Sequence, residues 1–122
     1  MENILFATKS HCLKITDFTV AREVAPGAKA FDCEGTPAFT APECHVPGPD
    51  GYYPKPTDIW SLGTCLFTYV AEKIPFDGES EIEIQIMSRN EEPDYPDFFS
   101  PELLDLLKLL MKKNPEERPT AE

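Results

Sequence analysis

Two oxygen-bearing side chains stand where they could share a cation: Asn3, and Asp17 within Ile15-Thr16-Asp17-Phe18-Thr19. Between them lie two short apolar runs, Ile4-Leu5-Phe6 and Cys12-Leu13-Lys14-Ile15-Thr16, with Lys9-Ser10-His11 supplying a turn. Paired as a hairpin, these strands bring Asn3 and Asp17 out at the same end. Two hard oxygen ligands at one sheet edge suit Mg2+, which takes one or two protein ligands and fills its shell with water and substrate phosphates. The plainer alternative is a turn carboxylate and an ordinary strand-entry Asn, since both residue types are common at strand ends.

A two-stranded hairpin is marginal alone and needs a larger body to pack on. Residues 18–56 do not supply one. Pro26, Gly27, Gly35, Pro37, Pro42, Pro47, Gly48, Pro49, Gly51, Pro54 and Pro56 break any periodicity there. So long a loop in a compact domain is functional or disordered.

Helical patterning begins after it. Thr57 reads as an N-cap following Pro56, and Ile59, Leu62, Gly63, Leu66, Phe67 and Val70 recur at steps of three and four. Leu62, Cys65, Leu66, Tyr69 and Val70 add a second apolar side, which predicts a central helix over 57–71 buried over most of its girth. Ser80 and Glu83 form a capping box, S-x-x-E. The run Glu81 to Ile86 alternates like a strand, but the box and Met87 favour a helix to about residue 89. Ser100-Pro101-Glu102 opens a last helix with Leu103, Leu106, Leu107, Leu110 and Met111 as its stripe, and Lys112 and Lys113 are placed for its negative end. Thr120-Ala121-Glu122 reads as a helix just beginning.

The chain has 122 residues, enough for one small domain or part of a larger one, and 41% hydrophobic residues argue against outright disorder. With 22 acidic against 11 basic residues, the net charge of −11 opposes non-specific nucleic-acid binding and docking on anionic membranes. It favours solubility, or attraction of basic peptides. Cys12, Cys33, Cys44 and Cys65 match no CxxC metal spacing. Cys12 and Cys65, in apolar segments, are expected to be buried, and Cys33 and Cys44 to be loop residues open to solvent. His11 and His45 are isolated and read as surface or structural residues. No secretory signal or bilayer-length apolar run is present, so the expected compartment is intracellular, cytoplasmic with the nucleus as an alternative.

Read in order, the motifs are Asn3-Ile-Leu-Phe6, Ile15-Thr-Asp-Phe-Thr19, Gly35-Thr-Pro-Ala-Phe-Thr-Ala-Pro-Glu43, Asp58-Ile-Trp-Ser-Leu-Gly63 and Asn114-Pro-Glu-Glu-Arg-Pro-Thr120. This series resembles the C-terminal lobe of a eukaryotic protein kinase of the serine/threonine type, over essentially the whole chain. The Gly-Thr-Pro-Ala-Phe form is similar to that of calmodulin-dependent kinase kinases. The fold class so implied is mainly α with a short β-hairpin: the helical lobe of the protein-kinase-like α+β fold, without its N-lobe.

The resemblance implies roles residue by residue. Asn3 and Asp17 match Mg2+ ligands, Asp17 standing where the family has the Asp of Asp-Phe-Gly. Leu5 matches the floor of the adenine pocket, and Thr16 would line the same pocket, so these four residues bind ATP and its metal. Residues 1–16 become the hairpin, 17–43 the activation segment and 44–122 a helical subdomain cut short at its end. Thr36 matches a threonine that contacts the catalytic Asp, and Gly35 to Thr40 a shelf for the substrate residue after the acceptor. Glu43 and Arg118 match a buried ion pair, and Asp58 a residue that holds the catalytic loop through backbone N–H groups.

Two departures matter. Thr19 replaces the glycine of Asp-Phe-Gly, where a β-branched residue resists torsions that glycine adopts. The chain also contains no Gly-rich loop, no strand lysine to hold the α- and β-phosphates, nor its partner Glu, and no His-Arg-Asp segment; Met1-Glu2-Asn3 stands where relatives read Lys-Pro-Glu-Asn. The expectation is therefore a fragment, a truncated gene model or an internal-initiation product, inactive alone and needing its missing N-lobe. Apolar surface left bare would make it poorly soluble or self-associating. Asp32 stands where many relatives carry a phosphorylated Ser or Thr, and Arg22 matches a basic position that pairs with that phosphate, so the two could stand in for the phosphate contact. The reading that follows is part of an ATP- and Mg2+-dependent kinase acting on protein hydroxyls, with basic protein substrates. A pseudokinase-like binding module and an unrelated acidic interaction protein are the rivals.

Overall fold

The computed structural model describes residues 2–121, in which a β-hairpin and an irregular segment precede a helical body. Strands β1 (Ile4–Ala7) and β2 (Cys12–Ile15) are antiparallel, with Ile4 opposite Ile15 and Ala7 opposite Cys12. Pairing extends one step beyond the strands, where the Thr16 N–H donates to the Asn3 carbonyl at 2.9 Å. The extensive contacts of each strand are with the other strand. Leu5, Phe6, Leu13 and Ile15 all remain exposed, so the pair buries little apolar surface.

Helix α2 (Pro54–Ala71) is the centre of the body and begins three residues before the expected Thr57. Pro54 occupies its first position, where the missing N–H costs nothing and φ is already helical. Thr57 is thus inside the first turn, and its hydroxyl donates back to the Pro54 carbonyl at 2.6 Å. The helix ends at Glu72, in the left-handed conformation, whose N–H donates to the Thr68 carbonyl.

The expected burial of α2 around most of its girth is corrected by the structure. Ile59, Trp60, Gly63, Thr64 and Phe67 form one buried stripe, whereas Leu62 is 54% and Tyr69 76% exposed. Apolar residue type gives a face the capacity to be covered; here nothing among the described residues covers this one.

Helix α4 (Pro101–Leu110) packs on α2, while α3 (Glu81–Asn90) packs on the short helix α1 (Pro42–His45) and on the turn Pro37–Phe39, which itself lies against α2. The alternating Glu81–Ile86 run is helical. Ser80 accepts from the Glu83 N–H as the capping box requires, but the Glu83 carboxylate reaches the N–H of Glu79 rather than that of Ser80. Ser100 caps α4 by accepting from the Leu103 N–H. Lys113 does not serve the end of α4 as charge placement predicted. Its ammonium donates to the Ser88 carbonyl at 2.8 Å and to the Glu91 carbonyl, satisfying the last turn of α3, and lies over the Phe76 ring.

The core joins Trp60 and Phe67 of α2 to Phe76, Leu107, Met111, Ala41 and Cys44. Trp60 stacks on Phe76 with centroids 5.9 Å apart, and Phe67 meets Tyr95 and Phe99 edge-on. Gly63 lets α2 and the end of α4 approach closely: a Cβ there would lie 2.8 Å from Met111 Cγ and 2.9 Å from Leu110 Cβ. The helix start expected at 120–122 includes Glu122, outside the described residues; Thr120 and Ala121 are not helical.

Cysteine burial departs from expectation at two positions. Cys12 is exposed, because the outer side of the hairpin is bare, and Cys44 is buried, because α1 carries it into the core. Burial pushes the Cys44 thiol up to about 11, so it is un-ionised at neutral pH. Among the described residues no helix is long and apolar enough to cross a membrane.

Candidate functional site

The hairpin register sets Asn3 opposite Thr16, so Asn3 and Asp17 leave the sheet at the same end. Both are exposed. Asp17 has φ +61°, in the left-handed region that Asp tolerates better than most residues. Its Oδ1 accepts the Thr19 hydroxyl at 2.7 Å and the Thr19 backbone N–H at 3.2 Å. These bonds, the hydroxyl first, hold the carboxyl below its ordinary range, so Asp17 is ionised at neutral pH. Hard oxygen donors of this kind fit Mg2+, and Oδ2 makes no hydrogen bond among the described residues. No group of three or more His, Cys, Asp or Glu side chains is placed to hold a metal among those residues, so a cation here would complete its shell with other oxygens. Leu5, on β1, is 52% exposed, and Thr16, just past β2, is half-buried.

The following segment has more structure than its composition predicts. Ala30 and Tyr52 exchange two backbone hydrogen bonds, at 2.9 and 3.0 Å, and the Tyr52 hydroxyl donates to the Asp32 carbonyl at 2.6 Å. Tyr52 escaped the sequence reading; the only local signal was an aromatic pair, Tyr52-Tyr53, inside a Pro- and Gly-rich stretch. Arg22 and Asp32 meet in a two-pronged pair, with both N···O distances 2.9 Å. Both side chains are about half exposed, so salt screens this pair. The Arg22 guanidinium holds the Asp32 carboxyl below its usual range.

Thr36 precedes a 3₁₀ turn, Pro37–Phe39, and its carbonyl accepts the Thr40 hydroxyl at 3.0 Å. That turn is tied to α2 by Ser61, whose hydroxyl donates to the Phe39 carbonyl at 2.9 Å. Ser61 is a second residue missed from sequence, because a serine inside a helix gives no sign of a partner so distant in the chain. A cavity of about 160 Å³ lies between this segment and α2, with Arg22, Glu34, Thr40, Asp58 and Ser61 in its wall.

Glu43, on α1, and Arg118 form the shortest and most buried ion pair among the described residues. Their N···O distances are 2.6 and 2.9 Å, with the Arg118 side chain fully buried and that of Glu43 15% exposed. Arg118 places its remaining donors on the carbonyls of Lys112, Pro56 and Lys113, so its five N–H groups all have acceptors. The guanidinium also lies 5.0 Å from the centre of the Trp60 ring. One residue therefore joins α1, the start of α2 and the chain after α4.

Asp58, in the first turns of α2, is the odd member. Its side chain stays in contact with solvent, yet partial desolvation raises its carboxyl pKa, and no hydrogen bond to it occurs among the described residues. With the folded pKa above the unfolded value of 3.8, its contribution to stability is present below that value and is lost as pH rises through the folded pKa. At neutral pH the charged form opposes folding. Asp58→Asn is expected to raise the urea midpoint at pH 7 and to leave it unchanged at pH 3; an unchanged midpoint at pH 7 would show that the carboxylate is already compensated.

Comparison with known proteins follows the same residues. The family model described as "Protein kinase domain" matches residues 1–122. The chain is 41% identical to mouse sperm motility kinase 3A over 98% of its own length and 23% of the relative's. It is 32% identical to a human SNF-related serine/threonine-protein kinase, and 30% to a probable serine/threonine-protein kinase, MARK-C, of Dictyostelium discoideum; each match covers 99% of this chain and 16% and 15% of the relative. The chain thus spans less than a quarter of the length of each of these relatives.

Proposed function

The chain belongs to the protein kinase domain family, and from that premise we propose that it forms the helical part of a protein serine/threonine kinase, which moves the γ-phosphoryl group of ATP to side-chain hydroxyls of proteins. The observation that carries this reading is the Glu43–Arg118 pair: it anchors the irregular segment headed by Asp17 to a helical body. That arrangement suits a segment that must present both a metal ligand and a substrate shelf in fixed relation.

In this reading residues 17–43 are the activation segment, 1–16 the hairpin that carries the nucleotide side, and 44–122 the helical subdomain. Asn3 and Asp17 hold Mg2+, and Leu5 and Thr16 face the adenine. Thr36 positions the catalytic base, and Asp58 waits for backbone N–H groups of the catalytic loop; a carboxylate without a hydrogen bond among the described residues supports that role. Bound Mg2+ with ATP supplies the transferable phosphoryl group and neutralises its oxygens. The 122 residues include neither a His-Arg-Asp base nor a lysine matching the one that holds the α- and β-phosphates, so by themselves they are expected to transfer no phosphate. The Gly35–Phe39 form favours a relation to calmodulin-dependent kinase kinases, and the acidic balance favours basic protein substrates. Free Cys12 and Cys33 thiols at the surface suit a reducing, intracellular setting.

The Arg22–Asp32 pair supports a further element of the proposal: a carboxylate occupies the place of an activating phosphate, so the segment is ordered without phosphorylation.

The test uses the full protein encoded around this chain, with radiolabelled ATP and matched Ser, Thr and Tyr basic peptides. Label is expected on Ser or Thr, lost in Asp17→Asn and reduced in Asp32→Ala. Transfer that survives Asp17→Asn, or that falls on Tyr alone, would overturn the assignment. Absence of any transfer would favour the rival reading as a binding module, and an unchanged rate in Asp32→Ala would remove the phosphate-substitute element.

A further inference from the structure

Asp17 carries two hydrogen bonds on one oxygen, and the stronger comes from a hydroxyl that a glycine at position 19 could not provide. Resting on the reading of Asn3 and Asp17 as cation ligands, we propose that Thr19 is a positioning residue that ties off Oδ1 of Asp17 and makes the site selective for small divalent cations.

A carboxylate has two oxygens and about four lone-pair directions. The Thr19 hydroxyl at 2.7 Å and its N–H at 3.2 Å take up those of Oδ1. The O–H···O⁻ bond is charge-assisted, and such bonds are roughly twice as strong as neutral ones, so it biases the orientation of the carboxylate. Asp17 is exposed and has no other hydrogen bond among the described residues, so nothing else there fixes its rotamer. What is left for a cation is Oδ2 alone, oriented and monodentate. Mg2+ and Mn2+ accept single oxygens in near-octahedral geometry, whereas Ca2+ readily takes both oxygens of one carboxylate. Thr19 therefore favours the small ions in two ways: it orients the ligand they use and blocks the two-oxygen mode that is open to Ca2+. Residues that orient a metal ligand in buried sites typically contribute 10- to 100-fold in affinity, and an exposed site should show the lower end or less.

The experiment follows amide broadening at Asn3, Thr16 and Asp17 in the isotope-labelled chain as Mn2+ is added, then competes Mn2+ with Ca2+. Thr19→Val keeps the branched side chain and removes the donor. It is expected to weaken Mn2+ about three- to tenfold and to leave Ca2+ equal or tighter, lowering the Mn2+/Ca2+ ratio. Thr19→Ser is expected to restore the ratio. Because Thr19 is exposed, the urea midpoint of each variant should match that of the parent chain. Unchanged or tighter Mn2+ binding in Thr19→Val, or an equal loss for both ions, overturns the role of Thr19. Asp17→Asn separates this from failure of the underlying site: if localized broadening persists in that variant, the cation-site reading falls and takes the proposal with it.

Discussion

Arg118→Met is expected to destabilise the chain by about 3–5 kcal/mol, the usual cost of leaving one partner of a buried ion pair without the other. The Arg118 side chain is fully enclosed and Glu43 is 15% exposed, so water cannot replace the lost guanidinium. Methionine keeps much of the packed volume, which isolates the electrostatic loss from a cavity effect. The Glu43 carboxylate would lose both its hydrogen bonds from Arg118, and the Lys112, Pro56 and Lys113 carbonyls would lose their donor. Small domains have total stabilities of only about 5–15 kcal/mol, so such a loss would bring the chain close to unfolding at room temperature. Urea denaturation followed by far-UV circular dichroism would measure it. Replacing both partners, with Glu43→Met added, should recover part of the loss, because a buried apolar pair requires no charge compensation. A cost under 1 kcal/mol for Arg118→Met alone would mean that the pair is solvated in solution.

The second large effect is expected at Trp60. Its side chain is fully buried, stacks on Phe76 and lies beneath the Arg118 guanidinium. Trp60→Ala should cost about 3–5 kcal/mol, combining lost transfer free energy with the cavity left behind. The indole N–H has no hydrogen-bond partner among the described residues, so packing rather than a polar contact dominates. Trp60→Phe should therefore cost much less than Trp60→Ala. The Trp60 and Arg118 substitutions share a contact and should not add: the double variant is expected to lose less than the sum of the single losses. Strict additivity would show that the ring contributes nothing to holding the guanidinium, and equal costs for Phe and Ala would point to the polar edge instead.

The Glu43–Arg118 pair was legible through the family resemblance, whereas the stacking of Trp60 on Phe76 was not. The ends of α3 and α4 were legible because Ser80, Ser100 and Pro101 act within one helical turn of their own positions. The start of α2 was displaced for the same local reason: two prolines in its first turn tolerate helical geometry, so the helix extends back past Thr57 to Pro54. The mainly helical class with one hairpin followed from periodicity and turn residues, and the family from motifs lying in order along the chain. The exposed side of α2 was misread because Leu62 and Tyr69 advertise burial without naming what covers them.

By itself, then, the sequence determined the properties set by neighbours along the chain: strand pairing across a short turn, helix caps, and the order of the motifs. Only the tertiary structure decided which distant groups meet. Lys113 with the end of α3, Tyr52 with the Asp32 carbonyl and Ser61 with the Phe39 carbonyl all depend on how the helical body closes. The physical reason is that a cap or turn is selected by a few local torsions. A buried charge or hydroxyl instead finds its partner only after hydrophobic packing of Trp60, Phe67, Leu107 and Met111 has brought remote segments together.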